Sequence, residues 1–314
     1  MDLAILRSTL KGTATLIPGV SSLGARGTGG TNSARYCYTV WLRHLVHAHQ
    51  AGLLKKPDRV GEIGPGESIG VGLAALLSGA SHYTAIDAKS YISREVNLKI
   101  FDELVELFQE RSDIPDEKEF PRVWPLLESY AFPENVISQS ALTESLNDDR
   151  IASIRGSISQ LPAENPWISY AAPWTDKKVI SEKSIDLLIS QAVLEHIDDL
   201  EAIYNSMARW VKPGAMISHV IDYSSHGHGE NWDSHWAIIP LHWRLIRGKR
   251  LWLLNRMPHS YHVALITKHE FHKIKEIRRC ESSTLPKVVK SDLEGIFQSQ
   301  DFETRGALVQ AFRS

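Results

Sequence analysis

Residues 59–89, RVGEIGPGESIGVGLAALLSGASHYTAIDAK, set a glycine turn between two acids: Glu62 precedes Gly64 by two positions, and Asp87 follows Gly66 by 21. Gly64 and Gly66 allow backbone angles, and an approach of ligand to main chain, that a Cβ would obstruct. The helix expected over IGVGLAALLSGA would present unpaired N–H groups to an acceptor. An acid closing the next strand is placed to hold ribose hydroxyls in a doubly wound fold. The details disfavour two ligand classes. A phosphate-cradling loop ends in Gly-Lys-Ser/Thr, and no lysine stands here. The dinucleotide fingerprint needs its third glycine where Ile69 stands, and Glu67 would put negative charge where a pyrophosphate sits. Glu62 likewise repels phosphate and suits a ligand that carries a cationic amine.

A second concentration of chemistry lies at 218–243, SHVIDYSSHGHGENWDSHWAIIPLHW, with His219, His226, His228, His235, His242, Asp222 and Asp233. A histidine titrating near neutrality suits removal of a hydroxyl proton. His226 and His235 are the candidates, with His196 of VLEHI third. The bland alternative carries equal weight: a His-rich loop can simply hydrogen-bond its own backbone. Asp222, His226 or Asp233 could hold a divalent ion that acidifies a hydroxyl. Their spacing matches no specific metal signature, so no metal ligands are assigned. Residues 243–260, WRLIRGKRLWLLNRMPHS, alternate Arg/Lys with Trp and Leu. They read as a site for an anionic substrate, as a membrane-surface contact, or as an amphipathic cap helix with a solvated basic face.

The elements that position these residues follow from periodicity. Apolar runs at 59–63, 82–87, 167–172, 185–190 and 215–222 are separated by helically spaced segments, which predicts βαβ units and a mainly parallel sheet. HKIKEIRRCESS and FETRGALVQAFR add two late strands, making seven. The stretch ASIRGSISQLP has helical spacing and is read as helix, leaving WISYAAPW as the third strand. Residues 94–160 read as helical, broken at FPRVWPLLESYAFP; together with 223–256 they exceed what crossovers need and are expected to be substrate-side insertions. A helix is predicted over ARYCYTVWLRHLVHAHQAGLL, capped by Asn32 or Ser33, and the Gly/Ser/Thr-rich stretch 18–33 reads as a loop or lid. The division is a helical extension at 1–58 and a main domain at 59–314.

Bulk properties narrow the class. The chain has 314 residues, 43% apolar and 23% charged, with a formal net charge of −2, which gives no general pull towards nucleic acid. No apolar run reaches the length of a membrane span, and the four-residue run before Arg7 is too short for a signal peptide. Cys37 and Cys280 read as free, buried thiols in a reducing compartment, so a cytoplasmic protein is expected.

VGEIGPGES with TAIDA resembles the first two motifs of class I S-adenosylmethionine (SAM)-dependent methyltransferases, with Ser68 where the last glycine of that pattern stands. SIDLLISQAVLEHIDDL resembles the family's fourth-strand motif, and MARWVKPGAMISHVIDY the helix, turn and fifth strand that follow. The resemblance implies a Rossmann-like, doubly wound α/β fold with SAM as cofactor. It implies SAM contacts from Glu62, Gly64, Pro65, Gly66, Asp87, Ala88 and Gln191, with Trp174 by the adenine and VLEHI opening a helix. Arg35, Tyr36 and Tyr38 would either close over the donor or only pack their helix. The string from IDYSSHG to NRMPHS is similar to methyltransferases of cell-surface polysaccharide genes, which implies a small-molecule or sugar hydroxyl as acceptor. Nucleic acid is not expected as a partner: SQAVLEH lacks the Asn/Asp-Pro-Pro-Tyr/Phe motif of amino-group nucleic-acid methyltransferases. An NAD(P)-dependent oxidoreductase and a non-catalytic partner-binding relative are the rivals.

Overall fold

A computed structural model describes residues 2–17, 31–163, 165–175 and 180–314. Two helices lead, α1 (Leu3–Ala14) and α2 (Ala34–Gln50). The core follows as β1 (Arg59–Ile63), α3 (Gly70–Leu77), β2 (His82–Ile86), α4 (Arg94–Gln109), α5 (Gln139–Ser145), α6 (Asp148–Gln160), β3 (Ile168–Ala171) and β4 (Ile185–Gln191). Next come α7 (Leu200–Trp210), β5 (Val211–Asp222), α8 (Pro240–Arg247), α9 (His259–Lys268), β6 (Phe271–Cys280), α10 (Lys287–Leu293) and β7 (Thr304–Arg313).

The seven strands form one sheet in the order β3-β2-β1-β4-β5-β7-β6. The first five run parallel, and β7 lies antiparallel between β5 and β6. This is the expected Rossmann-like, mainly parallel sheet. Alternate strand residues feed opposite faces. Val60, Tyr83, Ala85, Leu187 and Met216 join a core with α2, α3 and α4, while Ile63, Ile86, Leu188 and Ile217 join a second core with α7 and α9. The strand order switches direction between β1 and β4, so a ligand crevice is expected outside the carboxyl ends of these parallel strands.

Sequence and structure differ in several places. The break in the 94–160 insertion spans 110–137, which has turns but neither helix nor strand. VLEHI does not open a helix: Leu194–His196 is one 3-10 turn, and α7 starts at Leu200 behind an Asp199 cap. The basic stretch 243–260 is not one cap helix, because α8 begins earlier, with Pro240 in its first turn, and stops at Gly248, whose φ is +53°. Cys37 is buried as expected, but Cys280 is exposed because β6 is an edge strand. Of the anticipated 18–33 loop, residues 18–30 lie outside the described residues.

The N-terminal helices are not a loose appendage. Ser33 caps α2 by accepting from the Tyr36 N–H, and Trp41, Tyr38 and Arg43 are all at most 1% exposed. Trp41 Nε1 donates to Ser78 Oγ at 2.8 Å, tying α2 to α3. On its other side Tyr38 donates to the Ser112 carbonyl at 2.7 Å and Thr39 to the Pro115 carbonyl at 2.8 Å. Tyr38 and Arg35 therefore secure the 110–137 segment, with Arg35 paired to Glu119 at 2.6 Å, and neither closes over the glycine turn. Tyr36 stacks edge-on against Phe120.

Candidate active site

β1 delivers Glu62 and Ile63 to the switch point, and the chain then turns sharply. Gly64 and Gly66 have φ of +69° and +76°, the left-handed region that favours glycine. A Cβ on Gly64 would also lie 2.6 Å from the Val193 side chain, so the turn presses directly on the segment after β4. Gly64 N–H donates to the Ile86 carbonyl at 2.8 Å, joining the ends of β1 and β2. Pro65 is buried beneath the turn.

The expectation of free amides at the start of α3 is corrected. Glu67 and Ser68 N–H donate to Thr31 Oγ1 at 3.1 and 3.3 Å, Ile69 N–H to Asn97 Oδ1 at 3.0 Å, and Gly70 N–H to Ser68 Oγ at 3.1 Å. Ser68 Oγ in turn donates to the Thr31 carbonyl. The four amides at the entry to α3, residues 67–70, are thus committed to side chains rather than to an anion. Thr31 and Asn97 do this work, and neither stands in the glycine motif.

Two carboxyls flank the turn. Glu62 is 3% exposed and accepts from Tyr83 Oη at 2.6 Å. Burial pushes its pKa up to about 8, against the lowering effect of the Tyr83 bond and with a further push from Asp87. Asp87 is half-buried at the end of β2; burial raises its pKa, opposed by the backbone N–H groups of Ala88, Lys89 and Gly66. Its Oδ1 accepts from Ala88 N–H at 2.6 Å, and Ala88 itself is exposed. Trp174 backbone N–H donates to the Asp87 carbonyl at 2.8 Å, which brings the half-buried Trp174 to the end of β2, where it packs against the second core.

Gln191 ends β4 with its amide 3.2 Å from His44 Nε2. A buried chain fixes how that amide faces. Gln310 donates to the His47 carbonyl at 3.0 Å and accepts from Ala48 N–H at 3.0 Å and Ser218 Oγ at 2.9 Å. Ser218 has then spent its only proton, so His44 Nδ1–H must donate to Ser218 Oγ, 2.8 Å away. Burial holds the His44 pKa down to about 3, so the ring is neutral and Nε2 is bare. The group facing it is therefore the Gln191 NH2, which leaves the Gln191 carbonyl oxygen uncommitted to His44. His44 was not among the expected site residues.

The histidine candidates separate. His196 and His226 come together, with ring centroids 5.1 Å apart, and Glu195 completes a group whose three ligand-type atoms lie within 4.8 Å of one another. These are the residues with the geometry to hold a cation; the sequence suggested Asp222, His226 or Asp233. Glu195 is 3% exposed, and no side chain among the described residues hydrogen-bonds its carboxyl oxygens, which face only the backbone N–H groups of Glu195 and Asp222. Burial, followed by the charge of Asp222, raises its pKa well above the carboxylate range. His226 Nε2 lies 3.1 Å from Asp222 Oδ2. Burial pushes Asp222 up, but hydrogen bonds from His226 and Ser224 outweigh it and hold the carboxyl at about 2. Burial and the neighbouring His226 hold His196 down to about 4.

The other polar residues of this loop are placed elsewhere. His235 is 2% exposed on a 3-10 turn against Trp236, and burial keeps it well below its ordinary pKa. His219 lies within the sheet against Ser190 Oγ at 2.8 Å. His228 and His242 bond Ser8 and Thr9 of α1 at 3.0 and 2.8 Å. Asp233 accepts from Thr284 N–H and Oγ1 at 2.7 and 2.6 Å, which makes it a tie between loops rather than part of a cation site.

Residues 146–218 match a family model described as a methyltransferase domain. The methyltransferase-domain match begins just before α6 and ends within β5, taking in Trp174, Gln191 and His196 but not the glycine turn. No curated protein sequence matches the chain. Among solved structures it is similar to Haemonchus contortus phosphoethanolamine N-methyltransferase 2 in complex with SAM, at 12% identity and a TM-score of 0.40, covering 87% of this chain and 52% of that one. It is also similar to a SAM-dependent methyltransferase from Mesorhizobium loti, at 14% identity and 0.36, covering 81% and 90%. The YcgJ protein of Bacillus subtilis gives 11% identity and 0.41, covering 88% and 98%.

Proposed function

We propose that the chain is a SAM-dependent methyltransferase acting on a hydroxyl of a small molecule or glycan. The observation that carries this reading is the β1 turn: the amides of residues 67–70 are committed to side chains, and a buried acid stands at its base. An acid there suits a cationic ligand, whose charge favours its ionised form. A nicotinamide dinucleotide, the main rival, would lack those four donors and the third glycine of its fingerprint, where Ile69 stands. SAM is the cofactor that combines a ribose for Asp87 with an α-ammonium group and a sulfonium. Gly64, Pro65 and Gly66 would hold its methionine end, Gln191 would offer it a carbonyl oxygen, and Ala88 and Trp174 would border its adenosine. With Cys37 and Cys280 both unbridged, we place the protein in a reducing, cytoplasmic setting.

In the transfer, a lone pair of the acceptor oxygen forms the new bond to the methyl carbon. The carbon–sulfur bond breaks with its electrons left on sulfur, and S-adenosylhomocysteine departs. The hydroxyl proton goes to the His196–His226 pair beside the crevice. Asp222 holds His226 by Nε2–H, which fixes the tautomer and leaves Nδ1 as acceptor. His235 is retained only as a residue supporting this loop, because burial denies it contact with an acceptor.

Two results are expected. His226→Ala should lower turnover roughly a hundredfold or more while the SAM dissociation constant stays unchanged. Unchanged turnover would remove His226 from the chemistry. Glu62 gives a second handle. Its carboxyl is mostly protonated at neutral pH when the site is empty, and a bound α-ammonium favours the ionised form. SAM binding at pH 7 should therefore release roughly one proton, and affinity should rise with pH until about 8 and then level. Calorimetry in buffers of different ionisation enthalpy reads the proton directly, and Glu62→Gln should abolish it. Binding without proton release would mean that Glu62 does not sense the ligand.

A further inference from the structure

Exposed apolar side chains are unevenly spread over this protein. Nine of the fourteen large exposed ones among the described residues fall in 3–17 or 239–252. These two segments are partners in space. A Cβ on Gly12 would lie 2.1 Å from the Ile246 carbonyl oxygen, so α1 and α8 cross in direct backbone contact. Thr15 Oγ1 accepts from Lys249 N–H at 2.8 Å at the far end of the pair. Residues turned away from that contact form an outer face. On α1, Leu3 and Leu10 stand seven positions apart at 77% and 62% exposure, and Ile17, in the turn past its end, is 59% exposed. On and after α8, Leu241, Leu245 and Leu251 are 67%, 41% and 69% exposed.

The two segments contribute only basic charge to this face, the nearest acids being Asp2 at the start of α1, Glu230 beside it and Asp198 paired with Arg247. Neither 3–17 nor 239–258 contains an acid, in a protein whose formal net charge is −2. Arg250 and Arg256 are turned inward onto carbonyls, and Arg247 pairs with Asp198. Arg7, Lys11, Arg244 and Lys249 are exposed and make no ion pair among the described residues. Apolar side chains fringed by unpaired cations match the boundary between anionic headgroups and acyl chains, whereas a soluble acidic protein would match only the cations. No helix among the described residues is long and apolar enough to cross a membrane, so the contact is peripheral.

We propose that the outer face of α1 and α8 rests on an anionic lipid bilayer and presents the active site to a hydroxyl carried on a lipid. The face reaches the crevice rim: Trp252, 37% exposed, meets Tyr91 edge-on at 6.4 Å, four residues beyond Asp87. The lipid-borne acceptor rests on the methyltransferase reading; the docking does not.

The test is sedimentation of the purified chain with phosphatidylcholine vesicles, with and without phosphatidylglycerol, in low and high salt. Binding is expected only with phosphatidylglycerol and should weaken in salt. Leu241→Glu/Leu245→Glu and Arg244→Glu/Lys249→Glu should each reduce partitioning roughly tenfold or more. Circular dichroism and SAM titration without vesicles check that each variant is folded, and separate a failure of docking from a failure of the cofactor reading. Absence of binding to either vesicle by the folded protein overturns the proposal. So does concentration-dependent self-association that the Leu241→Glu/Leu245→Glu variant abolishes, because the face would then be an interface between copies.

Discussion

Asp87→Ala should weaken SAM and S-adenosylhomocysteine binding by about a hundredfold while leaving the fold intact. The magnitude follows from two hydrogen bonds from ribose hydroxyls to one carboxylate, each charge-assisted and partly desolvated. Tolerance of the fold follows from what Asp87 does in the empty protein: its side chain accepts mainly from its own loop, at Ala88 and Lys89 N–H, and reaches beyond it to the Gly66 N–H of the glycine turn. Its backbone ties β2 to β3 through the Ala171 carbonyl and to Trp174, and alanine keeps both bonds. Calorimetric titration of the wild-type and variant proteins with both ligands, and with NAD⁺ as a negative control, measures the effect. Equal affinities would move the ribose elsewhere. Tight NAD⁺ binding would overturn the cofactor.

The second large effect is on stability. Arg43 is 1% exposed and donates to the carbonyls of Val123, Pro125 and Pro115, at 3.1, 2.7 and 3.1 Å, and to Thr39 Oγ1 at 3.0 Å. The 110–137 segment has no helix or strand to pair its own backbone, so this one guanidinium meets a need that secondary structure meets elsewhere. Arg43→Ala should strand the Val123 and Pro125 carbonyls, since Thr39 still donates to that of Pro115, and cost about 4 kcal/mol. In thermal unfolding that is a drop of roughly 8 °C for a chain of this size. Arg43→Lys should recover only part of it, since an ammonium cannot fork to the same carbonyls. A melting temperature unchanged in the alanine variant would show that the segment is held by its apolar contacts alone.

What could be read beforehand divides along a physical line. The seven strands were legible because parallel strands buried on both faces leave apolar runs, and the third strand was placed by rejecting a helically spaced competitor. Gly64, Gly66, Glu62 and Asp87 were legible because their types and spacing are local. The expectation for the α3 amides failed because their partners, Thr31 and Asn97, come from distant sequence and satisfy no periodicity. The same holds for the histidine loop. His228, His242 and Asp233 looked equivalent to His226 in one dimension, yet each is drawn off by a partner in another element: Ser8, Thr9 and Thr284. Glu195 could have been noticed, since it adjoins His196 at the end of a buried strand. Its significance depends on Asp222 and His226 arriving from β5 and the loop beyond, which no pattern in VLEHI announces.

The place of β7 bears on how the molecule comes into being. β7 fills the gap between β5 and β6, so β6 has no sheet partner until residues 304–313 leave the ribosome. The five parallel strands and the glycine turn can pair while synthesis is still under way, whereas β5 must wait with one edge bare. A nascent edge of that kind invites pairing with a neighbouring chain. β6 carries the guard: His272, Lys273, Lys275, Glu276, Arg278 and Arg279 make it a poor template for a stranger during the interval before its own partner arrives.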